Sequence, residues 1–286
     1  MTAPRIDAHQ HFWSLARGDY GWLTPALKPI HRDFGPDDLR PHLERWSIAG
    51  TVLVQAAPTE AETHYLLDVA ARSPGMVRGV VGWTYLDRPD APERVRRLAA
   101  DPLLRGLRPM IHDIPDPEWM LTPALAPGLR TMEALGLCFD ALVRPVHLPS
   151  LRRFVDRYPG LPVVIDHGAK PDIAAGGLAP WARDMRRLAR ETSVRCKLSG
   201  LATEAGSGWQ ASDLKPYVDF LLEEFGAARL IWGSDWPVVD LAGGYDAWRQ
   251  AADDLLAGCD AEARARILGG NAIDFYRLEP GSQSPP

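Results

Sequence analysis

Short apolar runs alternate along the chain with longer segments in which apolar residues recur every three or four positions. The short runs predict strands and the longer segments predict helices. We expect eight strands, at residues 5–12, 51–55, 77–86, 105–111, 137–143, 161–165, 194–198 and 229–232. Because a helical segment follows each run, the pattern predicts an α/β protein, a parallel (β/α)₈ TIM barrel.

Local signals mark the ends of several predicted helices. Gly50 is expected to stop the first helix. Thr59 and Glu62 form a capping-box pair at the start of the second helix. Near the end of the chain, helical spacing extends over 245–268, and a short final helix is expected at 271–278.

Nothing in the composition divides the chain of 286 residues into two units. Barrels of this class run to about 250 residues and more as a single domain. We therefore expect one barrel domain at 1–278, followed by a loose tail at 279–286. The chain has no Gly-x-Gly-x-x-Gly after the first strand and no phosphate-binding loop, which argues against a nucleotide-binding fold.

Composition and charge exclude several other classes of protein. The apolar fraction of 46% is typical of a globular chain, and a net charge of −5 without a basic cluster argues against nucleic-acid binding. No apolar stretch approaches the roughly 20 residues that span a bilayer. Cys138, Cys196 and Cys259 lie far apart, which argues against disulfides and against a thiolate zinc site. We expect a cytoplasmic protein, and the sequence leaves open whether it forms a homo-oligomer.

Polar residues at the predicted strand ends are the candidates for chemistry, since barrel active sites form there. His9 and His11 close the first strand, and alternation places both imidazoles on one side of it. Two neutral imidazoles at this spacing suit a metal such as Zn²⁺. The alternative is a pair of hydrogen-bonded histidines at the barrel mouth that bind substrate directly.

Two further strand ends carry a histidine or a carboxylate. The sixth strand ends in Asp-His-Gly, where His167 is a third candidate ligand or an acid–base group and Asp166 is a structural candidate. The eighth strand ends in a Gly-Ser-Asp-Trp-Pro turn that directs Asp235 into the mouth. A carboxylate beside imidazoles can ligate a metal, remove a proton from water, or do both. The alternative role for Asp235 is that of a helix N-cap.

Six short motifs together resemble one family. They are Ile-Asp-Ala-His-Gln-His-Phe-Trp at 6–13, Val-Gln-Ala-Ala at 54–57, Arg-Gly-Leu-Arg-Pro at 105–109, Asp-His-Gly-Ala-Lys-Pro at 166–171, Lys-Leu-Ser-Gly-Leu at 197–201 and Trp-Gly-Ser-Asp-Trp-Pro at 232–237. In order and spread they are similar to the amidohydrolase superfamily, in its branch of sugar-lactone and related lactone hydrolases. The resemblance implies a barrel in which water opens a lactone ring, with deoxy-sugar lactones such as fuconolactone or rhamnonolactone as the nearest substrates.

The resemblance also implies roles for the residues at the strand ends. His9, His11, His167 and Asp235 match metal-site positions of the superfamily. Asp235 is expected to take the proton of the attacking water, with His167 as the second catalytic residue. The fourth strand ends without the lysine or glutamate that bridges two metals in binuclear members, so we expect one divalent metal at most, Zn²⁺. Related lactonases can work without metal, so the resemblance leaves the requirement open.

Four more residues are expected to bind the substrate, a small-molecule sugar lactone. Gln55 and Arg108 end the second and fourth strands, and His112 and Trp236 lie just beyond strand ends. A sugar lactone needs fixed polar groups and an aromatic face. The alternatives are a hydrolase or decarboxylase of an aromatic-derived lactone or carboxylate, and a non-catalytic sugar-acid binding protein. A second substrate carboxylate would need more basic groups at the mouth, which favours the neutral sugar lactone of a catabolic reaction.

Overall fold

The computed structural model describes residues 3–279, whose eight strands form one parallel sheet in chain order. The strands are Arg5–Gln10 (β1), Ile48–Val54 (β2), Val77–Gly82 (β3), Leu104–Leu107 (β4), Cys138–Ala141 (β5), Val163–Ile165 (β6), Arg195–Leu198 (β7) and Leu230–Trp232 (β8). The first and last strands meet where the Asp235 amide donates to the His9 carbonyl at 2.8 Å. The sheet therefore closes into the (β/α)₈ barrel that the apolar pattern predicts.

Most of the helices connect successive strands and cover the outside of the sheet, and the last three follow β8. The helices are Pro36–Trp46 (α1), Glu60–Ala71 (α2), Ala91–Ala99 (α3), Ala126–Leu135 (α4), Leu148–Arg157 (α5), Leu178–Glu191 (α6), Leu201–Glu204 (α7), Ala211–Phe225 (α8), Gly244–Leu255 (α9), Ala261–Ala265 (α10) and Asn271–Tyr276 (α11). Within residues 3–279, none of the helices has the length and apolar character needed to cross a bilayer.

The two faces of the sheet enter two separate apolar clusters. Outward-facing residues such as Val80, Leu107 and Leu198 pack with the helices in the larger cluster. Inward-facing residues at one end of the barrel pack with α11 in a smaller cluster, which we call the barrel floor. The barrel floor consists of Ile6, Ala8, Val52, Val54, Val81, Cys138, Val164, Ile231, Ala272, Phe275, Tyr276 and Leu278. Because α11 plugs this end, the opposite end, where the strands terminate, is left for a site.

The predicted strands agree with the observed ones in number and order, but several were predicted to extend too far. The third strand, predicted to residue 86, ends at Gly82, and the fourth, predicted to residue 111, ends at Leu107. Leu86 and Ile111 nevertheless lie buried in the outer cluster. The apolar pattern reports burial, and here loop residues beyond the strands are buried as deeply as the strands.

The prediction that Gly50 ends the first helix is wrong. Helix α1 ends at Trp46, and Ser47 takes the C-cap position with a left-handed φ of 52°. Gly50 lies inside β2, where a Cβ would collide with the side chain of Arg78. The glycine therefore permits close packing between β2 and β3 and does not cap a helix.

The capping box predicted at Thr59 and Glu62 forms only in part. Thr59 Oγ1 accepts the Glu62 amide at 3.0 Å. The Glu62 carboxylate instead accepts the amides of Ala56 and Ala57, each at 2.9 Å. Burial raises the pKa of Glu62 to about 7, and these backbone hydrogen bonds oppose the rise. Glu62 therefore organises the loop between β2 and α2.

The last helical segment is more broken than its spacing predicts. The helix expected over 245–268 divides into α9 and α10, and a π-helical turn at Arg266–Gly270 leads directly into α11. The final helix, predicted at 271–278, ends at Tyr276. The tail predicted at 279–286 lies, apart from residue 279, outside the described residues.

Candidate active site and metal centre

An irregularity in β1 turns His9 into the barrel. Asp7 pairs with Thr51 and Gln10 with Leu53, so three steps along β1 match two along β2. Such a β-bulge re-aims the side chains that follow it. Within this stretch Ala8 belongs to the barrel floor, and His9 also points inward, with Nδ1 3.0 Å from Lys197 Nζ. The bulge therefore adds an imidazole to the barrel interior, on the mouth side of Ala8.

Asp235 reaches the same place from the turn after β8. Its φ of 60° lies in the left-handed region, which a residue other than glycine adopts only when its surroundings hold it there. The hydrogen bond from its amide to the His9 carbonyl supplies part of that hold. Gly233 permits the close approach, since a Cβ at this position would lie 2.7 Å from His9 Cβ.

His167 lies in a short 3₁₀ segment, Asp166–Ala169, that begins directly after β6. Its φ of 53° is also left-handed. The ring is held by Ser199, whose Oγ lies 2.9 Å from His167 Nδ1. This contact leaves Nε2 directed at Asp235.

The side chains of these three strand ends converge on one carboxylate oxygen. Asp235 Oδ1 lies 3.2 Å from His11 Nε2, 3.6 Å from His9 Nε2 and 3.8 Å from His167 Nε2. All four residues are at least 97% buried. The structure thus brings together the four residues that the sequence singles out as metal ligands, although their roles stay predictions.

The donor chemistry of this cluster fits one divalent metal. His11 Nδ1 lies 2.7 Å from the Val54 carbonyl, so it carries the proton and His11 Nε2 is an acceptor. That acceptor faces another, Asp235 Oδ1, and two buried acceptors at 3.2 Å need a cation or a shared proton between them. Ligands of a tetrahedral zinc ion are separated by about 3.3 Å, given bonds of about 2.0 Å. The spacing around Asp235 is close to this value.

The protonation states of these groups suit ligands and a base. Burial lowers the pKa of His9 and of His167 well below the ordinary 6.5, so both imidazoles are neutral near pH 7. Burial alone would raise the pKa of Asp235, but a proton placed on the neighbouring His167 or His11 would stabilise the carboxylate, which brings its pKa below 3.8. The carboxylate is therefore ionised in the same environment in which the imidazoles of His9 and His167 are neutral.

A layer of buried polar and charged residues lies beneath His9, and sequence reasoning named Asp166 in it but missed Lys197, Asp140 and Tyr276. Lys197 Nζ lies 2.6 Å from Asp140 Oδ2 and 3.0 Å from Asp166 Oδ1, and the Tyr276 hydroxyl donates to Asp140 at 2.7 Å. All four residues are fully buried. Lys197 within β7 and Asp140 within β5 are charged residues flanked by apolar residues in short predicted strands, which was the available signal.

A cavity of about 230 Å³ opens above the cluster. Its walls are formed by His11, Trp22, Ala56, Arg108, Met110, His112, Asp113, Leu142, His167, Lys170, Asp235 and Val238. Two of the four predicted substrate-binding residues, Arg108 and His112, are among them. Burial, together with the charge of Lys170, lowers the pKa of His112 to about 3, so this imidazole is also neutral near pH 7.

The structure does not bring the other two predicted substrate-binding residues to the cavity wall. Gln55 is fully buried, and its amide donates to the Arg108 carbonyl at 2.6 Å. The Arg108 guanidinium donates in return to the Gln55 carbonyl. Trp236 packs edge-on against Phe12 and Phe34. Both residues therefore support the cavity wall from behind. Gln55 does so by holding Arg108, and Trp236 does so by packing in the apolar core.

Comparison with known proteins gives consistent similarities. The family model that matches, over residues 6–278, is described as amidohydrolase. The chain is 50% identical over 281 residues to an L-fucono-1,5-lactonase of Burkholderia ambifaria, with 96% of each chain covered. It is 36% identical to an L-fucono-1,5-lactonase of Burkholderia multivorans, with 97% of each covered. Its fold is similar to that of an amidohydrolase from Burkholderia multivorans with bound zinc, at a TM-score of 0.90 and 35% identity, covering 96% of this chain and 100% of that one.

Proposed function

The chain belongs to the amidohydrolase family, and on that premise we propose that it opens a sugar-acid lactone such as L-fucono-1,5-lactone by attack of water. The observation that carries the proposal is the convergence of Asp235 with three histidines at one wall of a small cavity. The relative that is 50% identical is an L-fucono-1,5-lactonase, and the match covers 96% of its length. The reaction is hydrolysis of a cyclic carboxylic ester in sugar catabolism.

Asp235 is the base that this reaction needs. It is ionised, buried and directed into the cavity. A water between Asp235 and the lactone carbonyl gives its proton to the carboxylate as its oxygen bonds to C1. A base held in this way contributes a rate increase of about 10²–10⁴-fold. His167, neutral and held by Ser199, orients the water at the other side of Asp235.

Ring opening returns the proton. The bond between C1 and the ring oxygen breaks, and the proton on Asp235 passes to the leaving oxygen, so that Asp235 is ionised again. The carboxylic acid that forms is ionised at pH 7, so one proton is released per turnover. Arg108 lines the cavity and places positive charge beside the carbonyl oxygen as it becomes negative.

His9, His11, His167 and Asp235 are the residues that would hold one zinc ion. When bound there, zinc supplies Lewis-acid polarisation of the carbonyl and a lowered pKa of bound water, towards about 7. The zinc-bound structural neighbour supports this choice of metal.

One domain, residues 1–278, is proposed to carry the whole activity, and the single continuous sheet supports this. The cytoplasm is proposed as its compartment. All three cysteines are free in the structure, in keeping with a reducing environment.

The test is proton release measured with a pH indicator over a panel of lactones. We expect turnover of L-fucono-1,5-lactone and related sugar lactones and none of a planar pyrone dicarboxylate. Asp235→Asn keeps the size of the side chain but cannot accept the proton, and we expect its kcat to fall by about 10²–10⁴-fold.

The matched control is Asp113→Asn, which changes a carboxylate on the same cavity wall whose side chain is 64% exposed. It should keep most of the activity. Parallel assays with and without a chelator show whether zinc is needed. Near-normal turnover by Asp235→Asn, or preferential turnover of the pyrone, would contradict the proposal.

A further inference from the structure

Both ring nitrogens of His9 face a cation. Nδ1 lies 3.0 Å from Lys197 Nζ, and Nε2 lies 3.3 Å from a guanidinium nitrogen of Arg108. A neutral imidazole has one N–H and one acceptor nitrogen, so only one of the two cations can donate to it. Whichever donates decides which nitrogen carries the proton.

The surroundings single out Lys197 as the donor. Its ammonium has three N–H groups and three acceptors in reach: Asp140 Oδ2 at 2.6 Å, Asp166 Oδ1 at 3.0 Å and His9 Nδ1 at 3.0 Å. Lys197 is fully buried, so each N–H needs a protein partner. Arg108 depends less on His9, because its guanidinium also reaches Asp166 Oδ2 at 3.4 Å and donates to the Gln55 carbonyl.

We infer that Lys197 is a positioning residue that keeps Nδ1 of His9 unprotonated, so that the proton lies on Nε2, the nitrogen facing Asp235. In this tautomer the Nε2–H of His9 is directed at Asp235 Oδ1, which lies 3.6 Å from Nε2. The inference rests on the proposed function in one respect, the assignment of His9 as a zinc ligand.

The inferred tautomer opposes zinc binding. A metal needs a free electron pair on Nε2, so the proton must move from Nε2 to Nδ1 and the hydrogen bond from Lys197 is lost. The Nδ1 proton then lies beside Asp166 Oδ1, which is 3.7 Å from the ring nitrogen. His11 differs, because the Val54 carbonyl holds the proton on its Nδ1 and leaves Nε2 free. Within one metal site, His11 is prepared for zinc and His9 is prepared for the metal-free state.

The first test is ¹⁵N NMR of the metal-free protein with labelled histidine, the His9 signals being identified by their loss in His9→Gln. We expect a proton on Nε2 and an unprotonated Nδ1. A proton on Nδ1 would overturn the inference. This measurement needs neither turnover nor a variant of Lys197, so it remains decisive if that variant does not fold.

The second test is the Kd for zinc, measured by calorimetry on the double variant Lys197→Met/Asp140→Asn. The pair removes one positive and one negative charge, so the net charge is kept and no unpaired aspartate is left at position 140. Asp166 loses Lys197 but keeps the Arg108 guanidinium, 3.4 Å away. We expect zinc to bind at least about tenfold more tightly, since a charge-assisted hydrogen bond no longer has to break. The ¹⁵N signals of His9 should shift to the Nδ1–H form.

Lys170→Met is the control, because Lys170 is a cation at the cavity wall whose ammonium is paired with Glu204 at 2.8 Å. It should change the Kd for zinc by less than about threefold. An unchanged Kd in the folded double variant, or an equal gain in Lys170→Met, would overturn the inference. Failure of the proposed function shows separately, as absent lactone turnover in the wild-type protein.

Discussion

The two ends of the barrel interior are built on the same eight strands but from opposite chemistry. At the floor, side chains such as Val52, Val164 and Ile231 pack against α11. At the mouth, the residues that follow the same strands include His11 and Asp235, buried with charges and ring nitrogens that face one another. Burial of apolar area at the floor stabilises the folded state, whereas desolvation of polar and charged groups at the mouth destabilises it.

The comparison shows how a costly site is tolerated. Left-handed backbone at His167 and Asp235 and a β-bulge at β1 all lie at the mouth. Such features persist where the surrounding structure holds them in place. Lys197 and Asp140 lie between the two ends, and Tyr276 of α11 joins them to the floor. We therefore expect changes at the floor to alter stability and changes at the mouth to alter chemistry.

The largest effect is expected at the floor, from Phe275→Ala. Phe275 lies on α11, is 8% exposed and packs edge-on against Tyr276. Its truncation should lower the free energy of unfolding by about 3–5 kcal/mol, because apolar burial is lost and a cavity remains. Denaturant titration measures the change. Phe275→Leu should lose less, and kcat of the folded variants should stay near that of the wild type; a large fall in kcat would break the separation between floor and mouth.

The next effect concerns Glu62, beside the mouth, and depends on pH. Its pKa is raised from 4.5 to about 7, so the folded state binds the proton more tightly than the unfolded state. Stability should therefore fall as pH rises from 4.5 to 7, by about 3 kcal/mol in total for this group. Free energies of unfolding at several pH values, for the wild type and Glu62→Gln, isolate this contribution. Parallel pH profiles for the two proteins would contradict it.

A smaller effect is expected from Trp22 at the cavity wall. The side chain is 37% exposed, and its indole donates to the Ala56 carbonyl at 2.7 Å. Trp22→Ala removes a substrate-facing surface and should raise KM for the sugar lactone about tenfold, with little change in stability. Trp22→Phe should retain most of the contact. Steady-state kinetics decide the matter, and a fall in kcat at constant KM would instead place Trp22 in the chemistry.

The smallest effect is expected on the outer surface. Lys215 pairs with Asp219 one turn along α8, at 2.7 Å, and both side chains are more than half exposed. Lys215→Ala should change the free energy of unfolding by no more than about 0.5 kcal/mol, because solvent screens such pairs. It serves as a reference for the floor and mouth variants in the same titration. A loss of several kcal/mol would show that the burial of a side chain does not predict how much its substitution destabilises this protein.

Candidate residues at strand ends could be predicted because barrel topology brings those ends together. His9, His11, His167 and Asp235 were found in this way, and the structure places them around one oxygen. Gln55 also follows a strand, yet its side chain turns into the wall. Position at a strand end therefore predicts nearness to the mouth but not the direction of a side chain.

The order of apolar and polar residues along the chain was sufficient for the number of strands, their parallel order and the end of the barrel that carries the chemistry, because these follow from local periodicity and chain connection. Only folding decided the bulge that turns His9 inward and the pairing of Lys197 with Asp140. Both depend on strand register and on charges more than 50 positions apart in the chain, and a local pattern carries no record of either. The inferred tautomer of His9 depends on the same pairing, because the Lys197 ammonium lies 3.0 Å from His9 Nδ1.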